Sequence, residues 1–436
     1  MGAFGLNRLR SWSSSLVSSG GRPVAIDFAS SGIKVLQLGA GETPVLEAAG
    51  FVATPEELQG DPNKRIAHQL AQLPKVIKEL GLSGRRAICS IPSSQTFCKH
   101  MQIQPELGVE MGLLVCGAVS AQLGCAPEAL LCRHVEVGAA LGGTGKSEVI
   151  ALAAGRGLVQ KLMDGLRTAK LELVGMHPEY VALLHCFGHI TRRESDVELT
   201  SLYVDLGAGG TRLAIAQGSR LVFAKQIHIG GRVLDELVSK QLSCSLAEAN
   251  RQRLAMIPPV GAGDSAGNAP EPVAAPVSAP TSSEGFAVLA AGMKLAKPGK
   301  SMSGGENGAL SLPPDQRSGT YPVGHEPLLE VAMSQSRVDL REAMETLTDE
   351  ISMCLRYHEA LFPGRRPGRV IFVGGEARQR GLCQQIARII KAPAHVADPM
   401  ARVSRTGAER CVGVRFAEPQ PGWAVAMGLS LSPTDL

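Results

Sequence analysis

Aromatic residues are scarce in this 436-residue chain, where two Trp, four Tyr and ten Phe make up 4% of the whole. That leaves too few rings for the stacking platforms that bind single-stranded nucleic acid. A strong charge of one sign is also missing. Forty-four Lys and Arg stand against 40 Asp and Glu, a formal +4 spread along the chain, which excludes the basic stripe of a nucleic-acid binder. No apolar run reaches the roughly 18 residues of a membrane-spanning helix. The closest, Gly112 to Gly124, is short and reads as a buried helix. The ten cysteines form no CxxC pair and no Cys/His group at metal spacing, so they read as reduced thiols. Residues 1–22 hold no acid and no signal-peptide core, and read as a flexible terminus.

Glycine, by contrast, is abundant at 50 residues, and one cluster poses the first functional question. Ala140 to Ser147, ALGGTGKS, matches a relaxed P-loop ending in Gly145-Lys146-Ser147. A working P-loop launches a helix from its Lys-Ser pair. Here the pair is followed by EVIALAA and preceded by CRHVEVGAA, both strand patterns. The glycines are therefore read as a turn between two strands, and the P-loop is set aside.

A more informative signal is internal repetition. VAIDFASSGIKVLQLGAG, from Val24, aligns with LYVDLGAGGTRLAIAQGS, from Leu202. Each copy has an apolar strand ending in Asp, a turn of small residues, and a basic residue (Lys34 or Arg212) opening a second strand. Two such meanders imply a duplicated α/β fold with two similar lobes. The copies are joined by a strand and turn at Arg85 to Ser94 and by a strand-helix-strand-helix pattern that begins at Glu148. Beyond the second copy, residues 257–326 are rich in Pro, Ala, Gly and Ser and read as a disordered insertion. A long helix is expected from about Leu328 to Phe362. Strand-turn-helix-strand then follows, and a small-residue helix, GWAVAMGLSLS, closes the pattern.

Three turns carry the chemistry. In the second copy, Asp205, Gly207, Gly209, Gly210 and Thr211 form D-x-G-x-G-G-T, in which glycines admit a phosphate close to the backbone and Thr211 adds a hydroxyl donor. In the first copy, Asp27, Ser30, Ser31, Gly32 and Lys34 fill the equivalent turn, with hydroxyls and one cation for a phosphate tail. Asp27 and Asp205, each at a strand end, are the candidates to hold magnesium through water. Third, Gly374, Gly375 and Glu376 follow a strand and open a helix, a geometry suited to an adenosine.

On these residues the chain resembles the actin, Hsp70 and sugar-kinase ATPase superfamily, and more closely the PilM family of type IV pilus assembly proteins, relatives of FtsA. The likeness runs from AIDFASSGIKVLQL through VDLGAGGTRLAIAQGSRLVFAKQIHIGG to VGGEARQRGL, ADPMARV and AVAMGLSLS. The resemblance implies an actin-like ATPase fold, in which two ribonuclease-H-like lobes enclose Mg-ATP. The first lobe would span 23–200 with an inserted subdomain at about 94–155, and the second would span 201–430. It implies a cytoplasmic protein, peripheral at the inner membrane, that binds the short cytoplasmic tail of a bitopic PilN-like protein and is open to self-association. ATP would be a conformational ligand, hydrolysed slowly or not at all, and no catalytic residue is singled out. Glu179 is the one candidate to activate water, against its reading as a solvent-exposed helix-start acid. Two residues depart from the family pattern: Ala29 in place of a glycine, and Asn250 in place of an acid on the helix that resembles a nucleotide-contacting one. The alternatives are a type II secretion platform, an FtsA-like scaffold, a small-metabolite kinase of the same superfamily, and a scaffold whose cleft holds nothing.

Overall fold

The computed structural model describes residues 22–41, 43–140, 144–191, 196–256, 319–324, 328–336 and 338–434. Two sheets with the same internal order dominate it. In the first, β1 (Val24–Ala29), β2 (Gly32–Leu38) and β3 (Leu46–Ala53) form an antiparallel meander. β4 (Arg86–Ile91) and β8 (Glu172–Pro178) continue parallel to β1 on its other side. In the second, β9 (Thr200–Leu206), β10 (Thr211–Gln217) and β11 (Arg220–Ile227) repeat the meander, and β13 (Arg369–Val373) and β14 (Ala394–Ala397) repeat the parallel pair. The central strands VAIDFA and TSLYVDL are buried almost throughout. Such near-continuous apolar runs are what a strand covered on both faces requires.

The first sheet is faced on one side by α2 (Pro62–Leu80), which follows the four-residue helix α1 (Glu56–Gln59), and by α4 (Arg156–Thr168). Asp61 caps α2 by accepting from the Asn63 and Lys64 amides at 3.0 and 3.1 Å, and Pro62 takes the first helical position. Ile66, Leu70, Leu73, Val76 and Leu80 recur at helical spacing and form the buried stripe. The opposite face is covered by α5 (Glu179–Cys186) and α11 (Ala424–Ser430), and this core is continuous with that of the second lobe. All seven residues of α11 are buried.

Residues 96–155 form a separate sheet, β5-β7-β6, from β5 (Thr96–Ile103), β6 (Leu130–Ala139) and β7 (Ser147–Gly155), with α3 (Met111–Leu123) packed on it through Val115 and Val119. This sheet leans on β11, the edge strand of the second lobe. Ala224 N donates to His100 Nε2 at 3.3 Å, and Arg220 Nη2 donates to Val137 O at 2.7 Å. An otherwise open sheet edge is thereby covered. α3 is less buried than its apolar sequence suggests, with Leu113 65% and Leu123 46% exposed.

Several expectations are corrected. The end of the supposed insertion is structured: β12 (Thr320–Pro322) pairs with β14 as an outer strand, the place where a proline is tolerated. Residues 257–318 and 325–326 of that stretch, and the N-terminal residues 1–21, lie outside the described residues. The C-terminal part does not stay with the second lobe. β15 (Arg410–Val412) joins β3 in the first sheet, and α11 packs on β1, β2, β4 and α5. The single long helix is two, α8 (Leu328–Gln335) and α9 (Arg341–Leu361). At the break Ser336 accepts from the Val338 amide and Asp339 from the Arg341 amide, local bonds that compete with helix. Among the described residues no helix is long and apolar enough to cross a membrane.

Candidate functional site

The flanks of the GTGKS turn settle the P-loop question. Ser147 begins β7, Lys146 O accepts from the Ala140 amide at 2.8 Å across a hairpin, and no helix starts there. Residues 141–143 are outside the described residues.

The three other turns converge between the lobes. Asp27 sits opposite Lys34 on β1 and β2, as Asp205 sits opposite Arg212 on β9 and β10. The duplication therefore places an acid–base pair at the same register point of each meander. Gly209 lies against Ser30: a Cβ on Gly209 would meet Ser30 Oγ at 2.3 Å and Ser30 Cβ at 2.9 Å. Gly374 closes the group with a positive φ of 93°. A Cβ there would meet Leu206 O at 2.2 Å and Asp205 Oδ1 at 2.5 Å, so only glycine fits. Ser31, Gly32, Gly207 and Gly210 belong to the same two turns. Gly32 is pressed on Val52 O and the Phe51 ring, and the Gly207 amide donates to Gly210 O.

The electrostatics of the two pairs differ. Lys34 Nζ makes one contact to Asp27 Oδ2 at 3.3 Å, while Ser90 Oγ donates to Oδ1 at 3.2 Å. Arg212 is held much more firmly. Its Nε and Nη2 both donate to Asp205 Oδ2, at 3.0 and 2.5 Å, and its Nη1 donates to Glu179 Oε2 at 2.7 Å and Ser93 Oγ at 3.2 Å. Burial alone would lower the guanidinium, but Asp205 and Glu179 outweigh it and hold Arg212 above its usual range. Glu179 is not the exposed helix-start acid expected from sequence. It is 2% exposed, its carboxyl is pushed up by burial against the pull of Arg212, and Oε2 also accepts from the Ser93 amide at 2.8 Å. As α5 belongs to the first lobe and β10 to the second, Glu179–Arg212 is an ion pair between lobes.

The remaining expected residues are also engaged. The Thr211 hydroxyl donates to Ile229 O at 2.8 Å and is not offered to a ligand. Glu376 Oε2 accepts from Arg253 Nη1 at 2.7 Å. Arg253, on α7 (Leu246–Met256), also donates to Asp235 on α6 (Gly231–Leu242), where Asn250 Nδ2 adds a bond at 3.0 Å. Asn250 thus does structural work inside an α6–α7 network. Sequence reasoning missed Ser90, Ser93, Arg65 and Arg232, none of which lies in a motif, and it missed the pairing of Arg212 with Asp205 and Glu179, at which only the basic residue opening β10 hinted.

The chemistry of these donors fits the two absent groups unequally. The Gly209 and Gly374 cradles, which a side chain would fill, and the Ser30 hydroxyl suit a phosphate chain. Magnesium does not fit. Both Asp27 oxygens accept hydrogen bonds, one of them from a cation, and Asp205 Oδ2 takes two from a buried guanidinium, so neither acid is left to hold the ion's water shell.

Two duplicated lobes meeting at paired Asp hairpins, with a small sheet inserted in the first, constitute an actin-like ATPase fold. The chain superposes on a structure described as the PilM-PilN type IV pilus biogenesis complex with a TM-score of 0.63, at 15% identity, over 94% of this chain and 98% of that one. Looser matches are EutJ, an ethanolamine utilization protein of Carboxydothermus hydrogenoformans (14% identity, 95% and 93% coverage, TM-score 0.44), and MreB of Spiroplasma citri bound to AMPPNP (12% identity, 94% of each chain, TM-score 0.44). No curated protein sequence matches the chain. The sequence profile of the type IV pilus assembly protein PilM matches residues 25–259, more than half of the length. The chain belongs to that family.

Proposed function

We propose that this chain is a nucleotide-responsive scaffold of the type IV pilus platform. It sits at the cytoplasmic face of the inner membrane and grips the cytoplasmic tail of a PilN-like membrane protein. Family membership and the structural likeness to a PilM-PilN complex support the partner. The observation that carries the nucleotide reading is the convergence of three small-residue turns between two lobes, with Ser30 against Gly209 and Gly374 against Asp205. Ser30, Ser31, Lys34, Gly207, Gly209 and Gly210 would hold the phosphates, and Gly374 and Gly375 would face the nucleoside. A ligand that separates the Ser30 and Gly209 turns changes the angle between the lobes, which is how a bound nucleotide would be sensed. Hydrolysis would be slow or absent, because Glu179 is already bonded to Arg212 and the Ser93 amide and is not positioned to activate water.

Calorimetric titration of ATP into the full chain and into Lys34→Ala and Lys146→Ala variants tests the cleft. Binding weakened by Lys34→Ala and untouched by Lys146→Ala supports it; loss with Lys146→Ala alone returns the site to the GTGKS turn. Titration of a synthetic peptide of the PilN-like cytoplasmic tail, with and without ATP, tests the partner. A tail affinity that ATP leaves unchanged would remove the nucleotide-responsive part of the reading. The closed contact of Ser30 with Gly209 favours one second reading, a scaffold that binds the tail with its cleft shut.

A further inference from the structure

Arg212 occupies the register position that Lys34 occupies in the first copy, yet it behaves as a fixed charge and not as a mobile ligand. All three of its donor nitrogens are committed, two to Asp205 and one to Glu179 and Ser93, and Asp27 also acts on it electrostatically. Arg212 therefore pairs with Asp205 while Lys34 pairs with Asp27, so each acid of a two-aspartate metal site already has a cation of its own. A divalent ion would have to displace Arg212 from Asp205, leaving two of its buried nitrogens unpaired, or lie beside it and bear the repulsion of like charges at short range.

More positive charge surrounds the same turns. Arg65, on α2 in the first lobe, donates to Gln59 O and Ser94 Oγ, and its Nε is buried without a hydrogen-bond partner. Arg232, at the start of α6 in the second lobe, lies on Gly60 of the first, where a Cβ would meet its Nη1 at 2.2 Å. That Nη1 is also buried without a partner. The two guanidiniums come from opposite lobes and act on one another as like charges; Glu179 and Asp61 offset Arg65, and Glu236 Oε1 accepts from Arg232 Nε at 2.8 Å. The Arg232 amide donates to Ala208 O of the glycine turn at 2.9 Å, so this charge stands beside the phosphate cradle.

We infer that the cleft takes a nucleoside polyphosphate as a metal-free anion, with Arg212 as a built-in cation in the place of magnesium and Arg65 and Arg232 supplying charge to the phosphates. The inference rests on the nucleotide reading above, and the experiments separate the two. ATP is titrated in magnesium and in EDTA. The expected result is an affinity in EDTA at least equal to that in magnesium, because magnesium withdraws free ATP. An affinity about tenfold weaker in EDTA overturns the inference and leaves the nucleotide reading standing. Arg232→Gln is expected to weaken ATP in EDTA by about tenfold, and unchanged binding counts against the role of that side chain. Arg212→Lys is expected to keep the metal independence, while Arg212→Ser becomes dependent on magnesium.

If ATP does not bind at all, the nucleotide reading fails, and Mn²⁺ alone then decides the part assigned to Arg212. Mn²⁺ should leave the melting temperature of the unaltered protein in place and raise that of Arg212→Ser, whose acids are released. A rise in the unaltered protein, or none in a folded Arg212→Ser, overturns the claim. Should Arg212→Ser not fold, the unaltered protein in Mn²⁺ and in EDTA still supplies the test.

Discussion

The contact between the two hairpin turns can be tested without any ligand. Gly209→Ala places a methyl 2.3 Å from Ser30 Oγ, about 1.1 Å inside the 3.4 Å at which ordinary contact begins. Rotating the Ser30 hydroxyl away does not solve the problem, since Ser30 Cβ is itself at 2.9 Å. The turns must part. Gly209 is not among the residues with positive φ, so the substitution adds no backbone strain. Restricting the unfolded chain would stabilise by about 0.4–1 kcal/mol, against roughly 1–3 kcal/mol for forced overpacking. A net loss of about 1–2 kcal/mol follows, read as a fall of a few degrees in the first thermal transition. Ser30→Gly removes both clashing atoms and costs something itself through added turn flexibility. The double variant should then be more stable than the sum of the singles by about 1 kcal/mol or more. Strict additivity would mean that the turns do not touch, and both the cleft geometry and the sensing argument built on it would fall.

Two further predictions concern packing and pH. Gly428 of α11 lies so close to α5 that a Cβ would meet Ala182 O at 1.7 Å. Gly428→Ala should therefore destabilise by at least about 3 kcal/mol, while Gly117→Ala on α3, where a Cβ meets nothing within 4 Å, should stabilise by up to about 1 kcal/mol; equal effects in urea melts would refute the helix contact. His100 stacks on Phe223 at 4.8 Å, and burial, with His358 adding to it, lowers its pKa from 6.5 to about 4. A lowered histidine binds fewer protons folded than unfolded, so its stabilising share is whole above pH 6.5 and is lost as pH falls toward 4. His100→Gln, whose amide oxygen can still accept from the Ala224 amide, should flatten part of the decline in melting temperature between pH 7 and 5; His185 and His358, also held at about 4 by burial, keep the rest. An unchanged slope would take His100 out of that balance.

The duplicated lobes were legible because their signal is local. An apolar strand ending in Asp27 or Asp205, a turn of small residues and a basic residue seven positions on define a hairpin by themselves, and the structure places Lys34 and Arg212 opposite those acids. The GTGKS turn was legible for the same reason, since strand patterns on both sides leave no helix for a P-loop. What the chain hid is what depends on distant partners. Glu179 begins a helix, where an exposed acid is the usual reading, and only the approach of β10 from the other lobe buries it on Arg212. Thr320–Pro322 has no pattern of its own and becomes a strand because β14 offers an open edge. The return of β15 and α11 to the first lobe is likewise a property of the surface they cover, since α11 is buried on every side and its own sequence selects no partner.

The links between the lobes differ in what it costs to open them, and this orders the motion. Ser30 on Gly209 is a contact of small groups, and separating it exposes little apolar surface. Glu179–Arg212 is more expensive while dry, since either charge alone in a buried site is strongly unfavourable, but opening the turns admits water and lowers that cost. The third link does not open. The Gly374 amide donates to Pro421 O at 3.0 Å, Gly422 packs on Gly375, and the chain then runs straight into α11, buried between α5 and the first sheet. Parting α11 from α5 would expose a fully buried and mostly apolar helix, far more surface than the turns cover. The lobes should therefore pivot about α5 and α11 and separate first at Ser30 and Gly209, which is where a phosphate would enter.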